Sequence, residues 1–316
     1  MASPVISILL PTWNGEADLA RLLPVLAAQR EVGDVEILAT DSSSEDGSVA
    51  LLRAAGAEVT VIEQAEFGHG KTRNQLAARA RGELLVFLSQ DVLPADERFL
   101  AELVAPFEDP EVVGVYSRVL PHAEDDPLTA RTVLDAPEAR EEGRTACMGA
   151  ENLWESSPEE RAASLRFNNV ASAVRASFFA EVPFPDVPFG EDFAWAARAL
   201  TRGRKICFAP RSVAHHAHRY TARQAFERYS IDAAFHREIH GHRLRPSLLS
   251  VLRGLAYEVR EDVRFVRGRR VPGGLRHLLR SPALRGAQVL GQFWGSQRWG
   301  RRFWPAEDQG SVGSGR

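Results

Sequence analysis

Four short apolar runs, each ending in polar residues and separated from the next by a helix-length segment, constrain this chain more than any other feature. VISILLP (5–11), VEILATD (35–41), EVTVIE (58–63) and ELLVFLSQD (83–91) read as strands. Between them lie ADLARLLPVLAAQ (17–29), interrupted near Pro24, SVALLRAAG (48–56), closed by Gly56, and TRNQLAARARG (72–82), closed by Gly82. Strand–helix alternation of this kind predicts a parallel, doubly wound sheet. Ligands of such sheets bind beyond the carboxyl ends of the strands. The polar residues gather there: Pro11, Thr12, Trp13 and Asn14 after the first strand, Asp41 after the second, AEFGHGKTRN (65–74) after the third, and Asp91 at the end of the fourth.

The third of these turns poses a choice. Ala65, four residues, then Gly70, Lys71 and Thr72 fit a loose triphosphate loop, in which backbone amides and a lysine hold the phosphates. That signature normally opens with glycine and follows the first strand. Adopting it here also leaves PTWNG and TDSSSEDG without a role. A reading that uses all the strand ends together is preferred.

Composition narrows the classes. The 316 residues, 44% apolar, suffice for one large α/β domain or two smaller ones. No run approaches the ~18 apolar residues of a membrane span. The N-terminal MASPVISILL has no positive segment and reads as a buried strand, not a signal peptide. Two cysteines, Cys147 and Cys207, without a CxxC pair, argue against a zinc ribbon or a disulfide scaffold and suit a reducing cytoplasm.

Charge is divided. Residues 1–210 hold 19 Lys and Arg against 34 Asp and Glu, whereas residues 211–316 hold 20 against 8. A basic tail on an acidic body can meet an anionic membrane or nucleic acid, or its arginines can cover the protein itself. No nucleic-acid motif is present, so no nucleic-acid partner is expected. In the tail, Leu, Val, Phe and Trp interleave with Arg, a pattern that suits either interfacial helices or helices packed on the protein. The acidic stretch 121–166 reads either as a solvated helical excursion or as a flap.

Taken together, ISILLPTWNG, EILATDSSSEDGS, FGHGKTRNQLAARARGELLVFLSQDVLPAD and PFGEDFAWAARALTRGRKICFAP resemble the family 2 glycosyltransferases of the GT-A fold, closest to the bacterial rhamnosyltransferase-like group. The resemblance covers residues 4–230. It implies an α/β fold with a Rossmann-like, mostly parallel sheet flanked by helices and a helical C-terminal extension. Residues 1–230 would form the catalytic domain, with 1–120 the nucleotide-binding half and 121–230 the acceptor and catalytic half. Residues 231–304 would be a basic amphipathic extension, and 305–316 a disordered tail. The implied activity is inverting, metal-dependent transfer of a hexose or deoxyhexose, rhamnose among them. The donor would be a nucleoside-diphosphate sugar, with dTDP or UDP favoured. The acceptor would be a glycan or lipid-linked acceptor in cell-surface polysaccharide synthesis, reached from the cytoplasm or the inner face of the cell membrane. The alternative is a catalytically weak sugar-nucleotide-binding or scaffold protein of the same fold, prompted by a reduced metal motif.

The resemblance also implies roles. Asp41 would contact the nucleobase, with Pro11, Thr12 and Asn14 nearby; its other use is to cap the next helix. Gly70 would let the backbone approach the donor, and Arg73 would reach a donor oxygen. LSQD (88–91) stands where the family carries DxD; Ser89 replaces the first carboxylate, leaving Asp91 as the strong ligand for Mg²⁺ or Mn²⁺, with Gln90 beside the donor. In APRSVAHHAHRYT (209–221), His216 and His218 fall on one side of an extended segment and would complete the metal shell or bond the diphosphate. Glu191 and Asp192 open a helix after Gly190; the pair would supply the catalytic base, Asp192 foremost, although a helix N-terminus also favours carboxylates for purely structural reasons. Arg118 is a candidate for donor or acceptor contact.

Overall fold

The computed structural model describes residues 6–297. They form two compact units, one of residues up to 120 with 140–156 and 163–216, the other of 121–139, 157–162 and 217 onward. The division falls after His216, not after residue 230, and two internal segments, 121–139 and 157–162, join the C-terminal unit. The helix Ala222–His240 goes with the second unit because its backbone at Phe226 and Ser230 meets that of the helix Gly274–Gln297. The expected tail 305–316 and the end of the expected extension lie outside the described residues.

The first unit is built on nine strands among the described residues: β1 (Ile6–Thr12), β2 (Val35–Asp41), β3 (Glu58–Val61), β4 (Leu84–Leu88), β5 (Leu93–Pro94), β6 (Val112–Leu120), β7 (Arg144–Ala146), β8 (Ala171–Arg175) and β9 (Lys205–His215). Their order is β3-β2-β1-β4-β8-β6-β9-β5, with β7 on β9. β3, β2, β1 and β4 are mutually parallel. β8 runs against both β4 and β6, and β9 is parallel to β6. The sheet is therefore mostly parallel, as expected. The opposed β8 brings its N-terminal end, residues 169–171, to the carboxyl end of β4.

Ile6, Ser7, Ile8, Leu9 and Leu10 are all buried, as a strand covered on both faces requires. The helix Glu16–Ala27 runs through Pro24 without a break, burying Leu19, Leu22, Leu23 and Leu26. The third helix departs most from expectation: it begins at His69 and ends at Ala77. An aromatic cluster of Phe167, Phe178, Phe179, Phe184 and the fully buried Trp195 packs beneath the helix Glu191–Leu200. Trp195 also donates its indole N–H to the Val182 carbonyl at 2.8 Å, so that helix has a fixed depth as well as a fixed direction.

The second unit packs the helices Pro127–Asp135, Ala222–His240, Leu248–Gly268 and Gly274–Gln297. Gly291 and Gly295 let the last of these approach the backbone at Phe226 and Ser230, where a Cβ would collide. Its centre is polar. Asp262 is fully buried and accepts from Arg131 Nε at 2.6 Å, from Arg285 Nε at 2.9 Å and Nη2 at 2.8 Å, and from the Ser281 hydroxyl. Burial alone would push its carboxyl up; hydrogen bonds and charge from Arg285, with Ser281 and Arg131, outweigh that and hold it below the usual carboxylate range. Some of the tail's arginines thus pack inside their own unit. Asp262→Ala leaves two buried guanidinium groups without their shared carboxylate and is expected to cost about 3–5 kcal/mol, read as a lower urea midpoint.

Candidate active site

The site grows from the carboxyl ends of β1, β2 and β4. Register places Thr12 opposite Asp41, and the Thr12 hydroxyl donates to Asp41 Oδ2 at 2.9 Å. Ser44 donates its hydroxyl to the same oxygen at 2.7 Å and its backbone N–H to Oδ1 at 2.8 Å. Asp41 is fully buried. Its observed work is to join two strand ends and shape the SSSEDG turn, not to present a free carboxylate. Asn14, at φ +44°, continues the seam: its backbone N–H meets Ser44 Oγ at 2.7 Å, and its side-chain oxygen accepts from Glu45 N–H at 2.9 Å.

Gln90 closes the seam toward β4. Its amide accepts from Trp13 N–H at 2.8 Å and donates to the Trp13 carbonyl at 3.0 Å. Both ends of the side chain are used, which makes it a clamp on the PTWNG turn. Next to it, Asp91 Oδ2 lies 3.4 Å from His216 Nε2. His216 reaches this position because its N–H bonds the Leu120 carbonyl at the end of β6. His218 comes two residues later, after the chain has passed into the second unit. A carboxylate oxygen and an imidazole nitrogen at this separation are a donor set that suits Mn²⁺ or Mg²⁺ with added phosphate and water oxygens.

Within FGHGKTRN, Gly70, Thr72 and Arg73 face inward, contrary to the expectation for Gly70 and Arg73, while Phe67, His69 and Lys71 stay exposed. A Cβ on Gly70 would sit 2.8 Å from the Pro185 carbonyl oxygen, so this glycine serves close packing. Asn74 forms paired bonds with the Phe184 backbone, donating at 2.8 Å and accepting at 3.1 Å. Arg73 is buried; its Nη1 donates to Glu191 Oε1 at 3.1 Å and to the His69 carbonyl at 3.2 Å. The turn therefore braces residues 184–191. Arg118, half-buried, lies 3.2 Å from the exposed Glu141.

What it braces is the acidic pair. Gly190, at φ +79°, starts the helix with Glu191 and Asp192 in its first turn. Glu191 is buried on Arg73 and also accepts from Asn169 Nδ2 at 3.3 Å. Asp192 is half-buried; it accepts from Phe193 N–H at 2.9 Å and from Asn169 N–H at 3.4 Å. Desolvation, and then the neighbouring Glu191 charge, push its carboxyl up to about 7. Asn169 continues into Val170, whose carbonyl accepts from Ser89 N–H at 2.9 Å. A hydrogen-bonded path thus runs from Asp41 through Thr12, Trp13 and Gln90 to Asp91, and from Ser89 through Asn169 to Asp192. Asp41 and Asp91 stand at the carboxyl ends of β2 and β4, and Asn169 ties Asp192 to that same end of the sheet. Asn74, Asn169 and Ser44 were missed as individuals in the sequence; Asn74 and Ser44 stand within quoted motifs, whereas Asn169 lies in none.

Comparison with known proteins accords with this arrangement. The model for "Glycosyl transferase family 2" matches residues 7–168, just over half of the chain. The chain belongs to that family. It is 30% identical over 241 residues to the O-antigen chain rhamnosyltransferase WbaN of Salmonella anatum, covering 74% of this chain and 72% of the relative. It is 28% identical over 238 residues to the O-antigen chain rhamnosyltransferase RfbN of Salmonella typhimurium, covering 73% and 72%. Among solved structures, the mannosyltransferase PcManGT from Pyrobaculum calidifontis in complex with GDP-Man and Mn²⁺ superposes with a TM-score of 0.53 at 18% identity, covering 94% of this chain and 74% of that one. S. aureus TarS superposes at 0.50 and 16%, covering 95% and 93%. These likenesses show the GT-A fold expected from the sequence.

The raised Asp192 carboxyl has a thermodynamic consequence for this family 2 chain. A group whose folded pKa is raised favours the folded state while protonated, and that contribution is lost as pH climbs from about 4 to about 7. Asp192→Asn, uncharged throughout, is therefore expected to melt higher than the wild type above pH 7, with the gap closing toward pH 4. Thermal melts across that range check it.

Proposed function

We propose that this chain is an inverting, metal-dependent transferase. It moves a hexose or deoxyhexose, rhamnose foremost, from a nucleoside-diphosphate sugar to a glycan or lipid-linked acceptor in cell-surface polysaccharide synthesis. The observation that carries the chemistry is the half-buried Asp192, poised near neutrality and tied through Asn169 and Val170 to the end of β4 that carries Asp91 beside His216. A general base works best with a pKa near the working pH, and Asp192 meets that condition. In the proposed step the acceptor hydroxyl oxygen attacks the anomeric carbon as its proton passes to an Asp192 carboxylate oxygen. The bond from that carbon to the donor diphosphate breaks, and the configuration inverts because a single displacement occurs.

Asp91 and His216, with His218 following along the chain, would hold the metal. A divalent cation bound there supplies positive charge to the diphosphate. Glu191 orients the helix turn through Arg73. Pro11, Thr12, Asn14 and the Asp41-braced turn form the nucleoside end, and Gln90 fixes the Trp13 backbone between that end and Asp91. The rhamnosyl preference and the polysaccharide setting rest on the two Salmonella relatives; the metal draws support from the Mn²⁺-bound neighbour.

Two measurements test this. Asp192→Asn should lower kcat by at least ~100-fold while leaving donor affinity in place. The wild-type acid limb should lie near pH 7, and Glu191→Gln should move it to lower pH, because it removes a negative charge that raises Asp192. Absence of turnover in the wild type with every sugar nucleotide tried would favour the scaffold alternative. Separately, dTDP or UDP with Mn²⁺ should raise the melting temperature, with ligand at ~100 times its dissociation constant adding ~2.7 kcal/mol. Asp91→Ala should remove the Mn²⁺-dependent part of that rise.

A further inference from the structure

The helix Gly274–Gln297 is turned inside out. Its core-facing side carries buried His277, Ser281, Arg285 and Gln288. Its exposed side carries Leu275, Leu279, Leu290 and Trp294, the first two 71% and 74% accessible. At 100° per residue those four side chains fall within one third of the helix circumference, a continuous apolar stripe. A helix covering a protein core in water has the reverse arrangement. Leu248, Leu249 and Leu252 stand equally open at the start of the preceding helix. Of the twelve exposed large hydrophobic residues described, eight belong to these two helices.

The charge of this segment says what kind of neighbour it fits. From Val263 to Gln297 there are seven arginines and no aspartate or glutamate. Arg280 and Arg285 are spent on Asp126 and Asp262, and Arg264 on Glu261. Among the described residues, Arg267, Arg269, Arg270 and Arg276, at and beside the turn joining the helices, pair with no carboxylate. A second copy meeting this face about a two-fold axis would bring the same unpaired arginines together. An anionic lipid surface offers both complements at once: headgroups for the arginines, and an acyl boundary for the leucines with Trp294 at its edge.

We infer that the face formed by Leu275, Leu279, Leu290 and Trp294, with Arg267, Arg269, Arg270 and Arg276, docks the protein on an anionic membrane surface without spanning it. No helix among the described residues is long and apolar enough to cross a bilayer. This goes beyond the proposed transfer chemistry and does not depend on it.

Co-sedimentation of the full chain with vesicles tests it. The chain is expected to bind phosphatidylcholine vesicles containing phosphatidylglycerol, to be released by salt, and to leave pure phosphatidylcholine vesicles unbound. The double variant Leu275→Gln with Leu279→Gln, and the triple variant Arg267→Gln, Arg269→Gln, Arg270→Gln, should each weaken that binding by roughly tenfold or more. Their melting temperatures and transfer to a soluble acceptor should match the wild type. Failure of the wild type to bind anionic vesicles overturns the inference. So does a leucine variant that dissociates a dimer in solution while still binding vesicles, which would assign the face to a second copy. Neither result bears on the transfer reaction, which the Asp192 variant addresses.

Discussion

The buried pair of Arg73 and Glu191 is the interaction on which the rest of the site depends. It joins the helix after β3 to the helix that carries Asp192, across 118 residues of sequence. A buried carboxylate without a partner would be costly, and so would a buried guanidinium, so each requires the other. Asn74 and the bare backbone at Gly70 add hydrogen bonds and close contact along the same seam. The acidic segment is thereby held from below by aromatic packing and from the side by this polar lock. The proposed transfer requires geometry of that kind in place before substrate binds, since a displaced base forfeits much of its effect.

A second seam does the same at the carboxyl ends of the parallel strands. Thr12, Asp41, Ser44, Asn14 and Gln90 tie the turns after β1, β2 and β4 into one hydrogen-bonded unit. Nearly all of its donors and acceptors are used within the protein. The turns it joins lie next to Asp91 and His216. The C-terminal unit solves a different problem: it places its arginine–aspartate network inside and leaves leucines outside. Burying a charged cluster gives little net stability but strongly penalises alternative packings, because each would leave one of those charges alone.

The parallel half of the sheet was legible because each strand is a continuous apolar run with a polar end, and the family was legible because four motif-bearing stretches occur in order. The acidic pair at Glu191 and Asp192, and Asp91 with His216, were legible as residue types at strand and helix ends. The direction of side chains was not. Arg73 and Gly70 in FGHGKTRN look like donor contacts when read along the chain, since glycines and a cation at a helix start are the usual signs of an anion site. Only the helix Glu191–Leu200 and the loop before it, contributed from more than a hundred residues downstream, supply the Glu191 carboxylate and the Pro185 carbonyl that claim them.

The amino-acid sequence by itself determined the alternating elements, the family and the chemistry available at the strand ends, because periodicity and residue type act locally. Tertiary structure alone decided which polar groups spend their hydrogen-bonding capacity inside the protein and which are left to act. That partition depends on burial and on partners distant in the chain. The same holds for the tail: its mixture of arginine and leucine is visible in the sequence, but folding decided that the polar side would face inward.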